Sequence, residues 1–501
     1  IIMMLLALSL LFNRKASIKT RIATLVTTAI LIASSVLSPL EYIWCGMRVP
    51  NGFYSRTAFL LSFFALWAAG YALQTLKDRP KVRRAYRPAV VLPLLALTAI
   101  ELFANAHVMW NQLYTGYSED ANSSYVAAAS STIKAIQDED STPFYRIDRT
   151  TTRADCAALN EGLALGYNQL SSYSSANSPQ AIALLNSLGY SSVGEFSTRY
   201  AEPILAVDAL LGVKYAIVDL APAGYAATSE PADTTSAVYK NPYTLSVGIA
   251  ASKDIQNSTL EGENPFEKQN DLYSKIVGRK VDLYTKIDAT KTADNQNSKQ
   301  WSVTVPAGSI GYLYINRDAS AGSYWPIALT IDQRTINNEA WRFDNNIRQI
   351  ADASDAPSQH TVSIGVAEGY TDMPQGNEPV FYALNLDVFE QIINELKTNE
   401  FVPTVFENGR IEGEYTAKAD GNLLLSVPYD DGWSVTINGD ATELTPAADK
   451  GMSCLSVQKG TNKIVMIYKT PGALAGLAVS LATAAALIAA GLYTRHKKSR
   501  R

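Results

Sequence analysis

The chain has 501 residues, with 43 Lys and Arg against 47 Asp and Glu, a formal charge of −4 and a pI near 5.6. That length exceeds what one hydrophobic core normally supports, so several structural units are expected. The near-neutral average hides a segregation of charge: residues 107–470 hold 44 of the acidic residues and 26 Lys and Arg, a balance of about −18 that excludes nucleic acid as a partner.

From the N-terminus, residues 1–12 are apolar but too short to cross a bilayer. They open on Ile with no signal-peptide n-region, and read as the inner end of a severed span. The runs 22–40, 57–76, 88–106 and 471–493 each approach or exceed the ~20 residues that cross a hydrocarbon core as a helix. Buried helices of a soluble protein are the alternative, and the basic clusters argue against it. Lys and Arg gather in 14–21 (four), 77–87 (six) and 495–501 (five). With 14–21 in the cytoplasm, alternating spans bring all three clusters to that side, as positive-inside topology requires. The expectation is a multi-pass protein of the cell membrane with 107–470 outside the cytoplasm.

That outer region begins, over 107–235, as mixed α/β. Residues 125–137, 178–188 and 203–211 have helical composition, and 143–148 and 212–220 read as strands. A Ser-rich loop covers 170–177, and 221–235 is linker-like. Beyond 236 the alternation becomes that of strands: Trp301, Val303 and Val305; Leu423, Leu425 and Val427; Trp433, Val435 and Ile437. Asn438-Gly439 predicts a type I′ hairpin turn. Leu386, Phe389, Ile392, Ile393 and Leu396 share one face of a helix over 385–397.

A weak repeat links 311–315, Trp325, 328–332 and 361–366 to 422–427, Trp433, 434–438 and 463–468. These patterns predict a first β-sandwich-like domain over 236–380, a linking helix and second β-sandwich-like domain over 381–470, a final transmembrane helix over 471–493, and a basic cytoplasmic tail over 494–501. Cys45, Cys156 and Cys454 leave a Cys156–Cys454 pair and isolated apolar thiols both open. The three His are too scattered for a zinc site, no cofactor is identified, and a divalent-metal requirement is open.

Several ordered motifs resemble one family. They are Pro50-Asn51-Gly52-Phe53 with Arg56, Pro143-Phe144-Tyr145-Arg146-Ile147, Leu210-Leu211-Gly212-Val213-Lys214-Tyr215, and Asn264-Pro265-Phe266-Glu267-Lys268-Gln269-Asn270. Tyr382-Ala383-Leu384-Asn385, Val427-Pro428-Tyr429-Asp430-Asp431-Gly432-Trp433 and Gly460…Tyr468…Pro471-Gly472 complete the set. This pattern resembles the YfhO-like family of bacterial membrane proteins, grouped with the GT-C glycosyltransferase architecture. The resemblance implies a membrane α-helical bundle (GT-C-like, truncated) over 1–106, joined to an extracytoplasmic α/β region and two β-sandwich-like domains. It implies an enzyme moving a sugar from a polyprenyl-phosphate carrier to an envelope glycopolymer, for instance a teichoic acid. The acidic catalytic residue of such enzymes is expected in a first outer loop upstream of this chain, so no residue here is assigned as catalytic.

Transfer from a lipid phosphate needs a carboxylate base, positive charge for the leaving phosphate and a dry cavity. Arg56, where an outer loop meets a span, suits the phosphate; the competing reading is an interfacial Arg reaching ordinary headgroups. Glu41, Asn51, Tyr54 and Glu101 are candidate polar residues of the cavity, against solvated-loop, aromatic-belt and structural-pairing readings. Tyr429 and Trp433 are candidates for sugar stacking, although Trp433 shares a strand face with Val435 and Ile437 and so also reads as core. The expected partners are the polyprenyl-phosphate-sugar donor, the glycopolymer acceptor and the lipid bilayer. The alternative is a non-catalytic, membrane-anchored protein that binds glycan or scaffolds envelope synthesis.

Overall fold

The computed structural model describes residues 7–34, 36–45, 47, 58–77, 88–113, 119–150, 157–229, 236–295, 297–315, 327–336, 347–366 and 378–499. It divides into two compact units, Ile1–Glu119 and Asp120–Arg501.

The first unit is helical: Ile18–Ser34, Ser38–Trp44, Ala58–Lys77 and Pro88–Leu113. These helices are apolar around most of their circumference, and Ile22, Leu25, Phe59, Phe63, Leu95 and Phe103 are exposed. An apolar surface of that extent suits lipid rather than water. The run 22–40, expected as one span, is broken between Ile18–Ser34 and Ser38–Trp44. Pro39 has no N–H to continue the preceding ladder, so it sits in the first turn of a new helix, and Leu37 before it is extended (φ −98°, ψ 111°). Among the described residues one helix, Ala473–Tyr493 in the second unit, is long and apolar enough to cross a membrane by itself, with mean hydropathy 2.1 and none of it buried. Ile18–Ser34 and Ser38–Trp44 meet that standard together as a bent pair, and Ala58–Ala72 is apolar but shorter.

In the second unit, helix Glu119–Glu139 lays Ile133 and Ile136 on a small sheet, against Ile147, Tyr215, Ile217 and Val238. The sheet is a parallel pair, Arg146–Arg149 with Val213–Val218, extended by Ala237–Lys240 and Ala226–Ala227.

A small three-stranded sheet joins Ser172–Tyr173, Ser197–Arg199 and Ser191–Val193 in that order, and the other strands form two pairs of sheets. In the first, Ala289–Asn295, Ser298–Val305, Ser358–Val366, Ile327–Ile331 and Arg334–Ile336 lie side by side in that order. They share a core with the sheet Ile347–Ala351, Ser309–Tyr314, Val380–Asn385 and Tyr284–Lys286, where Trp301, Val303 and Val362 meet Leu313, Ile350 and Phe381. In the second, Val405–Glu407, Arg410–Ala417, Gly460–Tyr468, Trp433–Ile437 and Asp440–Thr442 repeat the same order along the chain. Ile411, Tyr415, Val435 and Ile464 meet Leu423, Leu425 and Leu455 of the opposing sheet.

The repeat extends to atoms. Asp332 (φ 54°) and Asn438 (φ 56°) occupy matching turns. Each donates its amide to the closing strand, to Thr361 O at 2.7 Å and Lys463 O at 2.9 Å. Each accepts that residue's amide on its side-chain oxygen, at 2.8 and 2.9 Å.

Two strands cross the boundaries expected from sequence: Val380–Asn385 belongs to the first sheet pair, and Gly248–Ala251 pairs with Gly421–Leu425 in the second. Ser309–Tyr314 is buried along its whole length because one face meets its partner sheet and the other meets the largest core cluster. Helices Pro265–Val277 and Leu386–Lys397 pack in that cluster through Phe266, Leu272, Phe389, Ile392 and Ile393.

Candidate functional site

Of the residues singled out from sequence, Arg56, Asn51 and Tyr54 lie outside the described residues, as do Trp325 and Cys156. Glu41 sits in the first turn of Ser38–Trp44 and Glu101 lies in Pro88–Leu113, both half-buried. Tyr42 and Trp44, on the same short helix as Glu41, are exposed. Cys454 is a free, fully buried thiol whose pKa burial pushes up to about 11. Among the described residues no group of three His, Cys, Asp or Glu is placed to hold a metal ion.

Trp433 and Tyr429 part company. Trp433 lines an open cleft of about 830 Å³, whereas Tyr429 donates to Asp431 (3.2 Å) and does not line it. One wall of the cleft comes from the second sheet pair: Phe406, the turn Glu407-Asn408-Gly409, Ile411, Val427 and Trp433. The other comes from the α/β part, with Gln137 and Asp140, the segment 141–143, Tyr145, Leu163, Tyr167 and Asn168.

Local chemistry explains each wall. The Asp430 carboxylate accepts from Gly432 N (2.7 Å), closing the turn that begins the Trp433 strand. Gly432 has no space for a side chain: a Cβ would lie 2.6 Å from the Tyr468 ring and 2.7 Å from Lys469 O. The Trp433 ring meets Tyr468 edge-on, with centroids 5.2 Å apart. Across the cleft Asp140 accepts from Lys214 (2.5 Å), Tyr215 (2.9 Å) and Thr142. Burial alone would raise its pKa, but these donors outweigh it and hold the carboxyl at about 2. Burial and the Asp140 charge push Tyr145 up to about 12. Asp140 is thus a committed anion rather than a free base.

The two walls are fastened together. Phe144 packs on Phe406 with centroids 4.6 Å apart, and Arg146 donates to Leu211 O and, at 2.8 Å, to Ser426 O. From the wall built by the second sheet pair the chain then leaves for the apolar helix: Tyr468 N donates to Gly409 O and Lys469 N to Gly432 O, each at 2.9 Å, and Ala473–Ser499 begins four residues later. Sequence reasoning reached Trp433 but missed Phe406, Asn408, Leu163 and Asn168. Asn408-Gly409 between β-prone residues carries the same turn signal as Asn438-Gly439 and could have marked that rim. Nothing local marks Leu163 or Asn168.

Exposed apolar helices joined to a polar, many-sheeted region define a membrane-anchored protein. The sequence profile of a family described as "Bacterial membrane protein YfhO" matches residues 1–86 and 81–480, and the chain belongs to that family of bacterial membrane proteins. It is similar to a Bacillus subtilis (strain 168) protein described as "Uncharacterized protein YfhO", at 23% identity over 480 residues, covering 88% of this chain and 53% of the relative. The chain therefore spans about half the length of that curated relative.

Among solved structures, a salicylate 1,2-dioxygenase from Pseudaminobacter salicylatoxidans matches at 7% identity and TM-score 0.08, covering 37% of this chain and 77% of its own. A cupin 2 conserved barrel domain protein from Leptotrichia buccalis matches at 12% and 0.09, covering 36% and 89%. Neither likeness bears on fold or function.

Proposed function

We propose that this protein is a multi-pass membrane glycosyltransferase of GT-C-like helical architecture. In this reading it moves a sugar from a polyprenyl-phosphate carrier to an envelope glycopolymer, and residues 107–470, with two β-sandwich-like modules, hold the acceptor outside the cytoplasm. The observation that carries the proposal is the cleft. Aromatic and amide side chains converge there, as they do in sites that grip sugar rings, and one wall hydrogen-bonds to the chain leading directly into the apolar helix. A saccharide bound there would sit near the membrane surface, where a lipid-linked donor is confined. Arg56 then grips the donor phosphate, with Glu41, Asn51, Tyr54 and Glu101 as polar groups of the membrane cavity.

A second reading, an anchored glycan-binding protein without transfer, has one observation in its favour: Asp140 is fully engaged, so the cleft binds rather than catalyses. The test is the sugar composition of the envelope in cells carrying Arg56→Ala at normal protein level. Loss of one specific sugar is expected for the transferase. An unchanged envelope would leave the binding role.

A further inference from the structure

The charge of the cleft bears on what it accepts. Among the described residues its lining includes two carboxylates, Asp140 and Glu407, and no Lys or Arg. The cations nearby are engaged elsewhere: Lys214 on Asp140 at 2.5 Å, Arg410 on Glu412 at 2.6 Å, and Arg146 on the Leu211 and Ser426 carbonyls. Asp140 stays ionised at neutral pH because its donors hold its pKa at about 2. A phosphodiester entering the cleft would meet the Glu407 carboxylate on one wall and, on the other, an Asp140 whose charge Lys214 already offsets, and among the described lining residues it would find no guanidinium or ammonium to grip it. Apolar surface, by contrast, is offered freely. Leu163 on the rim is 87% exposed, and Phe406 and Trp433 on the opposite wall are half-buried. Amides complete the lining: Gln137 donates to Gly166 O (3.1 Å) and Asn168 to Tyr145 O (3.3 Å), which leaves their carbonyl oxygens to accept from a ligand, and Asn408 sits on the turn.

We infer that the cleft takes a phosphate-free saccharide, neutral or amino-substituted, with a ring face on Trp433 and hydroxyls on the neighbouring amides. This deepens the acceptor role proposed above, and it argues that the segment held in the cleft is not the phosphodiester backbone of a teichoic acid. The same chemistry is presented by a glycolipid headgroup and by a stretch of free polysaccharide.

The test uses the whole 501-residue chain in detergent, titrated calorimetrically at low and physiological salt with a neutral glucose tetrasaccharide, a glucosamine tetrasaccharide and a glycerol-phosphate oligomer. The first two are expected to bind, and the third at least about tenfold more weakly, the gap narrowing in salt. Glu407→Lys should raise affinity for the glycerol-phosphate oligomer, and Trp433→Ala should weaken all binding by roughly tenfold or more. Because Trp433 also packs on Tyr468, Asn408→Ala on the turn serves as a second probe, with a severalfold loss expected.

Vesicles carrying a neutral glycosyl diacylglycerol, compared with the free tetrasaccharide, identify the source by whichever binds more tightly; both outcomes agree with the inference. Equal or tighter binding of the glycerol-phosphate oligomer overturns the inference and leaves a saccharide cleft standing. Binding of none of the ligands overturns both.

Discussion

Asp208 is fully buried, and it accepts hydrogen bonds from the hydroxyls of Tyr190, Tyr200 (2.8 Å) and Tyr225 (2.6 Å) and from the Ile204 amide (2.9 Å). Burial outweighs these donors and pushes its pKa up to about 7. Between about pH 4 and 7 the folded state therefore keeps a proton that the unfolded chain has released, so this group's contribution to stability falls as pH rises and is lost above 7. Asp208→Asn should flatten that slope. Urea unfolding at pH 4.5 and 7.5 should show the variant gaining roughly 2–4 kcal/mol on the parent between the two pH values. A second buried pair braces the cleft: Arg149 meets Glu161 at 3.1 Å, and Glu161 also accepts from Tyr125 and, at 3.1 Å, from Tyr167. Arg149→Met leaves the carboxylate without its cation and should cost about 3–5 kcal/mol, much of it recovered by adding Glu161→Gln. Denaturant midpoints of the two single variants and the double variant measure this.

At the level of elements, most of the family-like motifs turn out to be caps and turns. Asn264 accepts from the amides of Phe266 (3.0 Å) and Glu267 (3.2 Å) ahead of Pro265–Val277, and Asn385 accepts from Val388 N (3.0 Å) ahead of Leu386–Lys397. Replacing either by Ala should lower unfolding free energy by about 1 kcal/mol. Gly212 adopts φ +73°, and a Cβ there would lie 2.7 Å from the Phe144 ring and 3.3 Å from Leu245 O. Gly212→Ala should therefore cost more than the ~1 kcal/mol of an ordinary glycine change and loosen the cleft wall carrying Phe144. Thermal unfolding checks both predictions.

Elements governed by nearest neighbours were legible in the sequence. The 385–397 helix, the Asn438-Gly439 turn (φ 56° and 94°) and the Trp433 strand announce themselves in a few residues. The pairing of Gly248–Ala251 with Gly421–Leu425 did not, because a strand's partner is set by surfaces far away in the chain. The cleft was half legible for the same reason: Trp433 was visible, while the opposing wall is brought there by tertiary packing.

For the whole molecule, the proposed sidedness is open to direct measurement. With the native cysteines replaced by Ala, Asn408→Cys should react with a membrane-impermeant maleimide in intact cells, whereas Ser499→Cys should react once the membrane is opened. Labelling of Asn408→Cys confined to opened cells would place the cleft on the cytoplasmic side and remove the proposed role. The sheet that joins Gly248–Ala251 to Gly421–Leu425 carries a consequence for biogenesis. Asn422 reaches back 170 residues to bond Ser252 O, so the earlier strand emerges from the ribosome long before its partner exists. At ~5–20 residues per second that wait is about 10–35 s, with Gly248–Ala251 presenting an unmatched hydrogen-bonding edge throughout. Its partner arrives just ahead of the last hydrophobic helix, so under the proposed sidedness export and folding would finish together, and depleting envelope chaperones should trap this nascent chain more than proteins whose strands pair with immediate neighbours.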